Sequence, residues 1–156
     1  MPLQAAGRTL KKPILNFRIF TPYGPHMQHG RIIEQIVRCA LANEDIPLTQ
    51  PTVTRDFLYV GDIVDLFIEG MEKAKQYPAE IFNAGSGQST NLQTIVDEVF
   101  AQTGSKSTVR WNAFPAVLYD TAACSADMGK THAAFSWRPG HSLAEGIAAT
   151  VASFRS

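Results

Sequence analysis

The stretch Asn16-Phe-Arg-Ile-Phe-Thr-Pro-Tyr-Gly-Pro25 decides how the rest of this chain is read. Ile14, Leu15, Phe17, Ile19 and Phe20 make a near-continuous apolar run, interrupted by Asn16 and Arg18, which predicts a strand covered on both faces. The run enters a Pro-Tyr-Gly-Pro turn, and the segment from Thr21 to Gly30 reads as a loop. A sheet that delivers a strand into such a turn can place side chains at the mouth of a binding site.

Working outward, Ile32, Ile33, Ile36, Val37, Ala40 and Leu41 recur at helical spacing and predict a helix over 31–43, with Glu34, Gln35 and Arg38 toward water. In the segment 45–60, Pro47 and Pro51 confine the β-prone runs to edge strands or connections. Asp62 is the expected cap of a second helix whose inward stripe is Ile63, Val64, Phe67, Ile68 and Met71. A short strand in Glu80–Gly87 turns through Gly85-Ser86-Gly87 into a helix that Thr90 and Gln93 would box and Gly104 would end. Beyond a strand near Val109–Trp111 come an irregular stretch through Asp120, a short helix near Asp127–Phe135, and a last helix opened by Ser142 with Glu145 three residues on. With no internal repeat and no linker, the expectation is one mixed α/β domain spanning 1–156.

Composition narrows the partners. The 156 residues carry 14 basic and 14 acidic side chains, and the longest basic run is Lys11-Lys12, so the footprint of a nucleic-acid or anionic-membrane binder is absent. Cys39 and Cys124 stand far apart, outside any C-x-x-C spacing, and are expected as reduced, inert thiols. His26 and His29 form an H-x-x-H spacing without a neighbouring Cys, Asp or Glu, so no metal is expected there. No stretch approaches the ~20 apolar residues of a membrane span, and a cytoplasmic location is expected.

Four segments resemble the C-terminal half of the extended short-chain dehydrogenase/reductase family, the NAD-dependent epimerases and dehydratases of nucleotide sugars. They are Phe17–Pro25 (FRIFTPYGP), Thr54–Asp65 (TRDFLYVGDIVD), Ile81–Gly87 (IFNAGSG) and Ala126–Ile147 (ADMGKTHAAFSWRPGHSLAEGI). The resemblance implies a mixed sheet with packed helices, comprising the substrate domain together with the last strand or strands of the Rossmann sheet. Two family features are missing: no G-x-G-x-x-G run occurs, and none of Tyr23, Tyr59, Tyr77 or Tyr119 is followed four residues later by lysine. The resemblance therefore implies a nucleotide-sugar-binding portion without catalytic residues of its own, with NAD(P) relevant only if a Rossmann half is supplied. Residues 1–13 would be a helix remnant or a disordered tail.

The resemblance also implies site roles. Arg55 matches the arginine that reaches the diphosphate, a task suited to a planar guanidinium, with a salt bridge to Asp56 or Asp62 as the purely structural alternative. Tyr23 matches the Y-G-P turn at the inner end of the pocket, and Thr21 departs from a frequent asparagine. Asn83 precedes the Gly-Ser-Gly turn, where it would touch either ligand or local backbone. Phe114-Pro115 stands where many members have arginine before proline, and Arg110 is the candidate to replace that cation. Trp111 and Trp137 are expected in the core, with Arg138 toward solvent. The alternative function is a stand-alone relative that self-associates as a homodimer through apolar surface, the faces of the strand Ile14–Phe20 included.

Overall fold

A computed structural model describes residue 9, residues 12–115 and residues 124–155. The expectation for residues 1–13 falls almost wholly outside these, as does most of the irregular stretch before Asp120. Among the described residues the elements follow in the order β1 (Asn16–Ile19), β2 (Thr21–Tyr23), α1 (Ile32–Ala42), β3 (Ile46–Pro47), β4 (Thr54–Arg55), β5 (Phe57–Tyr59), α2 (Val60–Lys73), β6 (Ile81–Ala84), β7 (Thr90–Asn91), α3 (Leu92–Thr103), β8 (Val109–Arg110), α4 (Gly129–Ala134) and α5 (Leu143–Arg155). Three pairs are parallel, β1 with β6, β2 with β5 and β3 with β8, and β4 runs antiparallel to β7. This is the mixed α/β class that the alternating patterns predicted.

Two apolar clusters hold the elements together. In the first, Ile33, Ile36 and Val37 of α1 meet Ile95, Val96 and Val99 of α3 and Ile147 and Val151 of α5. The second gathers Leu58, Ile63, Leu66, Phe82, Met128, Phe135 and Trp137 around the β1–β6 pair and α2. Each fully buried aliphatic side chain contributes about 1.5–3 kcal/mol by leaving water.

Most helix boundaries follow the expected chemistry. The Ser142 hydroxyl accepts from the Glu145 N–H at 3.3 Å while Glu145 accepts from the Ser142 N–H at 2.8 Å, a reciprocal cap for α5. Gly104 closes α3 at φ +67°, and its N–H donates to the Phe100 carbonyl at 2.8 Å. At the other end of α3 the cap is Asn91, whose side chain accepts from the Thr94 N–H at 2.8 Å, and the Thr90–Gln93 box does not form. Thr90 is held in the β4–β7 ladder.

Four expectations are corrected. Thr21–Tyr23 is strand and not loop, because it pairs with Phe57–Tyr59. Glu34 is buried: its carboxylate folds back to accept from the Gly30 N–H at 3.0 Å and lies 3.5 Å from Arg38 Nε. Asp62 does not cap α2, which begins two residues earlier at Val60. Of the faces of β1 and α2 taken as inward, Ile63 is buried as expected, but Ile19 is 40%, Val64 51%, Ile68 48% and Met71 73% exposed. The buried stripe of α2 is Asp62, Ile63, Leu66 and Gly70, about a third of a turn from the expected one. Gly70 allows the close approach, since a Cβ there would stand 2.8 Å from the Phe17 ring.

Candidate functional site

The Tyr-Gly-Pro turn and the start of α1 enclose a cavity of about 710 Å³. β2 supplies Thr21, Pro22 and Tyr23, the following loop supplies His26, Met27 and Gln28, the leading edge of α1 supplies Arg31, and β4 supplies Arg55. Gly24 is required where β2 passes α2: a Cβ at that position would meet Val60 Cγ1 at 2.4 Å, at φ +152°. His26 follows in the left-handed region at φ +58°, a conformation that costs a non-glycine residue free energy and recurs at binding sites.

The charged side chains that the described residues bring to this cavity, Arg31 and Arg55, are both cationic, although the chain as a whole is neutral. Arg55 is half-buried, and its Nη1 donates to the Thr54 carbonyl at 2.8 Å. Arg31 is exposed at the start of α1, where its Nη2 donates to Gln28 Oε1 at 3.3 Å. Arginines around a concave, partly apolar surface suit a polyanion, whose oxygens accept several donors while its remaining atoms lie on Tyr23, Phe57 and Ile33.

The carboxylates nearest Arg55 in sequence are committed elsewhere. Asp56 is fully buried, and its two oxygens accept from the N–H groups of Ser86 (2.6 Å), Gly87 (3.0 Å) and Ala126 (2.8 Å) and from the Ser86 hydroxyl (2.7 Å). The Gly-Ser-Gly turn is thus a nest already filled by a side chain of the same chain. Asp62 accepts from the Gly140 N–H at 3.0 Å and lies 2.8 Å from His141 Nδ1. This bond is the chief reason the His141 imidazole is held above its ordinary range, against the weaker effect of desolvation.

Of the residues singled out in the sequence, Arg55 and Tyr23 meet in the cavity. Tyr23 is 4% exposed, its ring edge-on to Phe57 at 6.3 Å, and burial followed by the Asp62 charge pushes its phenol far up, so it stays protonated. Asn83 stands apart from the cavity lining: its amide donates to the Asp127 carbonyl at 2.9 Å, and its own carbonyl accepts from the Thr131 hydroxyl at 2.7 Å. Arg110 lies on β8, 63% exposed at its side chain and 3.4 Å from Asp45, outside the cavity lining. Phe114 is 52% exposed. Trp137 is buried with its indole N–H on the Asp62 carbonyl at 2.8 Å, and Arg138 is exposed, as expected. Arg31 was missed as a site residue; its signal was the Gly30-Arg31 pair at a helix start directly after the Tyr-Gly-Pro loop. Among the described residues no cluster of three metal-ligating side chains forms, and no helix is long and apolar enough to cross a membrane.

The sequence matches the model of the NAD dependent epimerase/dehydratase family over residues 3–85. It is 30% identical over 141 residues to UDP-glucuronic acid decarboxylase 3 of Arabidopsis thaliana, an alignment covering 88% of this chain and 40% of the relative. CDP-abequose synthase of Salmonella muenchen is 28% identical over 102 residues, 64% of this chain and 34% of that protein. Among solved structures, UDP-glucuronic acid 4-epimerase of Bacillus cereus, in complex with UDP-glucuronic acid and NAD, superposes with a TM-score of 0.88 at 21% identity, over 98% of this chain and 48% of its own; that likeness concerns the fold alone. UDP-glucose 4-epimerase of Thermotoga maritima with UDP-glucose gives 0.81 at 26% identity, over 90% and 45%. The chain thus spans less than half the length of each of these relatives.

Proposed function

Because this chain belongs to the NAD dependent epimerase/dehydratase family, we propose that it is the nucleotide-sugar-binding portion of such an enzyme, with the ligand's diphosphate in the cavity at Arg55. The observation that carries the reading is the one cavity into which the described residues bring two arginines, Arg31 and Arg55. A diphosphate offers oxygens that a guanidinium meets with paired donors. Tyr23 forms the wall beside Arg55, and its protonated phenol adds no opposing charge. The relatives whose names contain UDP or CDP support the ligand class.

The chain does not perform the reaction by itself in this reading. The family name implies NAD, and the described residues do not fit its pyrophosphate: the glycine turn after β6, which could have served as a nest, donates Ser86 N–H and Gly87 N–H to Asp56. The sequence has neither a G-x-G-x-x-G run nor a tyrosine–lysine pair at the family spacing. No chemical step is therefore assigned to this chain.

Calorimetric titration with uridine, thymidine, cytidine and guanosine diphosphate sugars, with NADH as control, tests the proposal. Saturable binding of one sugar nucleotide, weakened about 10-fold or more in Arg55→Ala, is expected from loss of a charge-assisted contact. No binding of any sugar nucleotide, or binding indifferent to Arg55→Ala, rejects it.

A second reading rests on a different observation, the open apolar face of Ile19, Val60, Val64, Phe67, Ile68 and Met71. Such a face is a place of association, and in this reading the chain forms a homodimer that covers it. Light scattering decides: a monodisperse monomer rejects the dimer.

A further inference from the structure

Resting on the diphosphate reading above, we infer that Arg31 is the second cation of the cavity and takes the phosphate that Arg55 leaves. A diphosphate carries two neighbouring anionic groups. One guanidinium can pair two donors with one phosphate, which leaves the other to water or to a second donor set. Among the described residues that line the cavity, the formally charged side chain other than Arg55 is Arg31.

Its position suits the task. Arg31 immediately precedes α1, at extended dihedrals of φ −81° and ψ 148°, and makes no side-chain cap to the helix. Its side chain is therefore not committed to closing α1. The contact it does make, Nη2 to Gln28 Oε1 at 3.3 Å, is a long, exposed bond to another residue of the cavity wall. A single neutral amide oxygen yields to a phosphate, which adds opposite charge and offers two oxygens to the planar fork. The carboxylate that could have neutralised this corner, Glu34, is buried and turned back onto Gly30, His29 and Arg38. Arg38, on the same helix, has its Nη1 3.8 Å from Glu44 and is not part of the cavity lining. The reader of the second phosphate is therefore encoded at the start of α1, 24 residues before Arg55 in the chain.

The experiment compares wild type, Arg31→Ala, Arg31→Lys and Arg55→Ala. Each is titrated, up to 10 mM of ligand and followed by two-dimensional NMR, with UDP, dTDP, CDP and GDP, their monophosphates, UDP-glucose and UDP-glucuronic acid. Arg31→Ala is expected to weaken the preferred nucleoside diphosphate about 10- to 100-fold and its monophosphate by less than about 3-fold. Arg31→Lys, which keeps the charge and loses the fork, is expected between Arg31→Ala and wild type, and supplies the result should Arg31→Ala fail to fold. Equal diphosphate affinity in wild type and Arg31→Ala, with Arg55→Ala weakened, overturns this inference and leaves the reading of Arg55 standing. A loss confined to UDP-glucuronic acid overturns it too, because Arg31 would then read a sugar carboxylate. No diphosphate binding by wild type removes both claims together.

Discussion

Asp56 shows how a residue beside the binding arginine can serve the fold alone. Its carboxylate satisfies three backbone N–H groups and one hydroxyl at a site with no solvent exposure. Asp56→Ala leaves those donors unpaired and is expected to destabilise the protein by about 3–5 kcal/mol in urea unfolding, because each orphaned buried donor costs about 1–3 kcal/mol. Less than about 1 kcal/mol would show that water reaches the turn. His141 makes a pH-dependent tie of the opposite charge. Its folded pKa is raised, first by the hydrogen bond to Asp62, so its contribution is fully present below its ordinary value of 6.5 and is lost as pH rises through the higher folded value. The melting temperature of wild type relative to His141→Asn should therefore be greatest below about pH 6.5 and shrink toward pH 8; a constant difference contradicts the tie. At this scale the sequence singled out Arg55 and Tyr23, and the fold lines one cavity with both. The role of Asp62 was not legible, because the partners that set it, Gly140 and His141, lie 78 and 79 residues away.

At the scale of elements, three carboxylates carried by β4–α2 clasp the C-terminal loops. Asp56 holds Ser86, Gly87 and Ala126; Asp62 holds Gly140 and His141; Glu69 accepts from the N–H groups of Ser136 at 2.7 Å and Trp137 at 2.8 Å. Although burial would raise it, the Glu69 carboxyl is held below its ordinary range by hydrogen bonds from Lys73 and from those two N–H groups. The second helix thus serves as a brace that fixes the segment Ala126–Ser142 and, through it, α5. Helix existence and most ends were readable from spacing and caps, because these are local. The facing of α2 was not. An apolar stripe tells that a helix hides a face, yet Val64, Ile68 and Met71 remain 51%, 48% and 73% exposed, while Phe67 stacks on Phe17 at 5.1 Å. If the face drives association, Ile68→Lys should convert a dimer to a monomer in light scattering with little change in melting temperature, since the side chain is exposed. An unchanged dimer mass would place the interface elsewhere.

For the whole molecule, the arginine-lined cavity is built from β2, β4 and the start of α1, and Val60 at the head of α2 belongs both to its lining and to the open apolar face. The fold class was legible because alternating strand and helix patterns leave few architectures. The arrangement of the binding wall was not, because Arg31 and Arg55 are brought to one cavity only by tertiary packing. The chain spans less than half the length of the relatives compared with it, and its cavity is proposed to hold a nucleoside diphosphate. The most direct test of that claim is a crystal structure of this chain grown with the tightest-binding nucleoside diphosphate. The account predicts the diphosphate between Arg31 and Arg55, with the rest of the ligand along Tyr23 and Phe57. A nucleotide bound elsewhere, for example in the crevice of about 520 Å³ lined by His132 and His141, or a diphosphate that touches neither arginine, would contradict it.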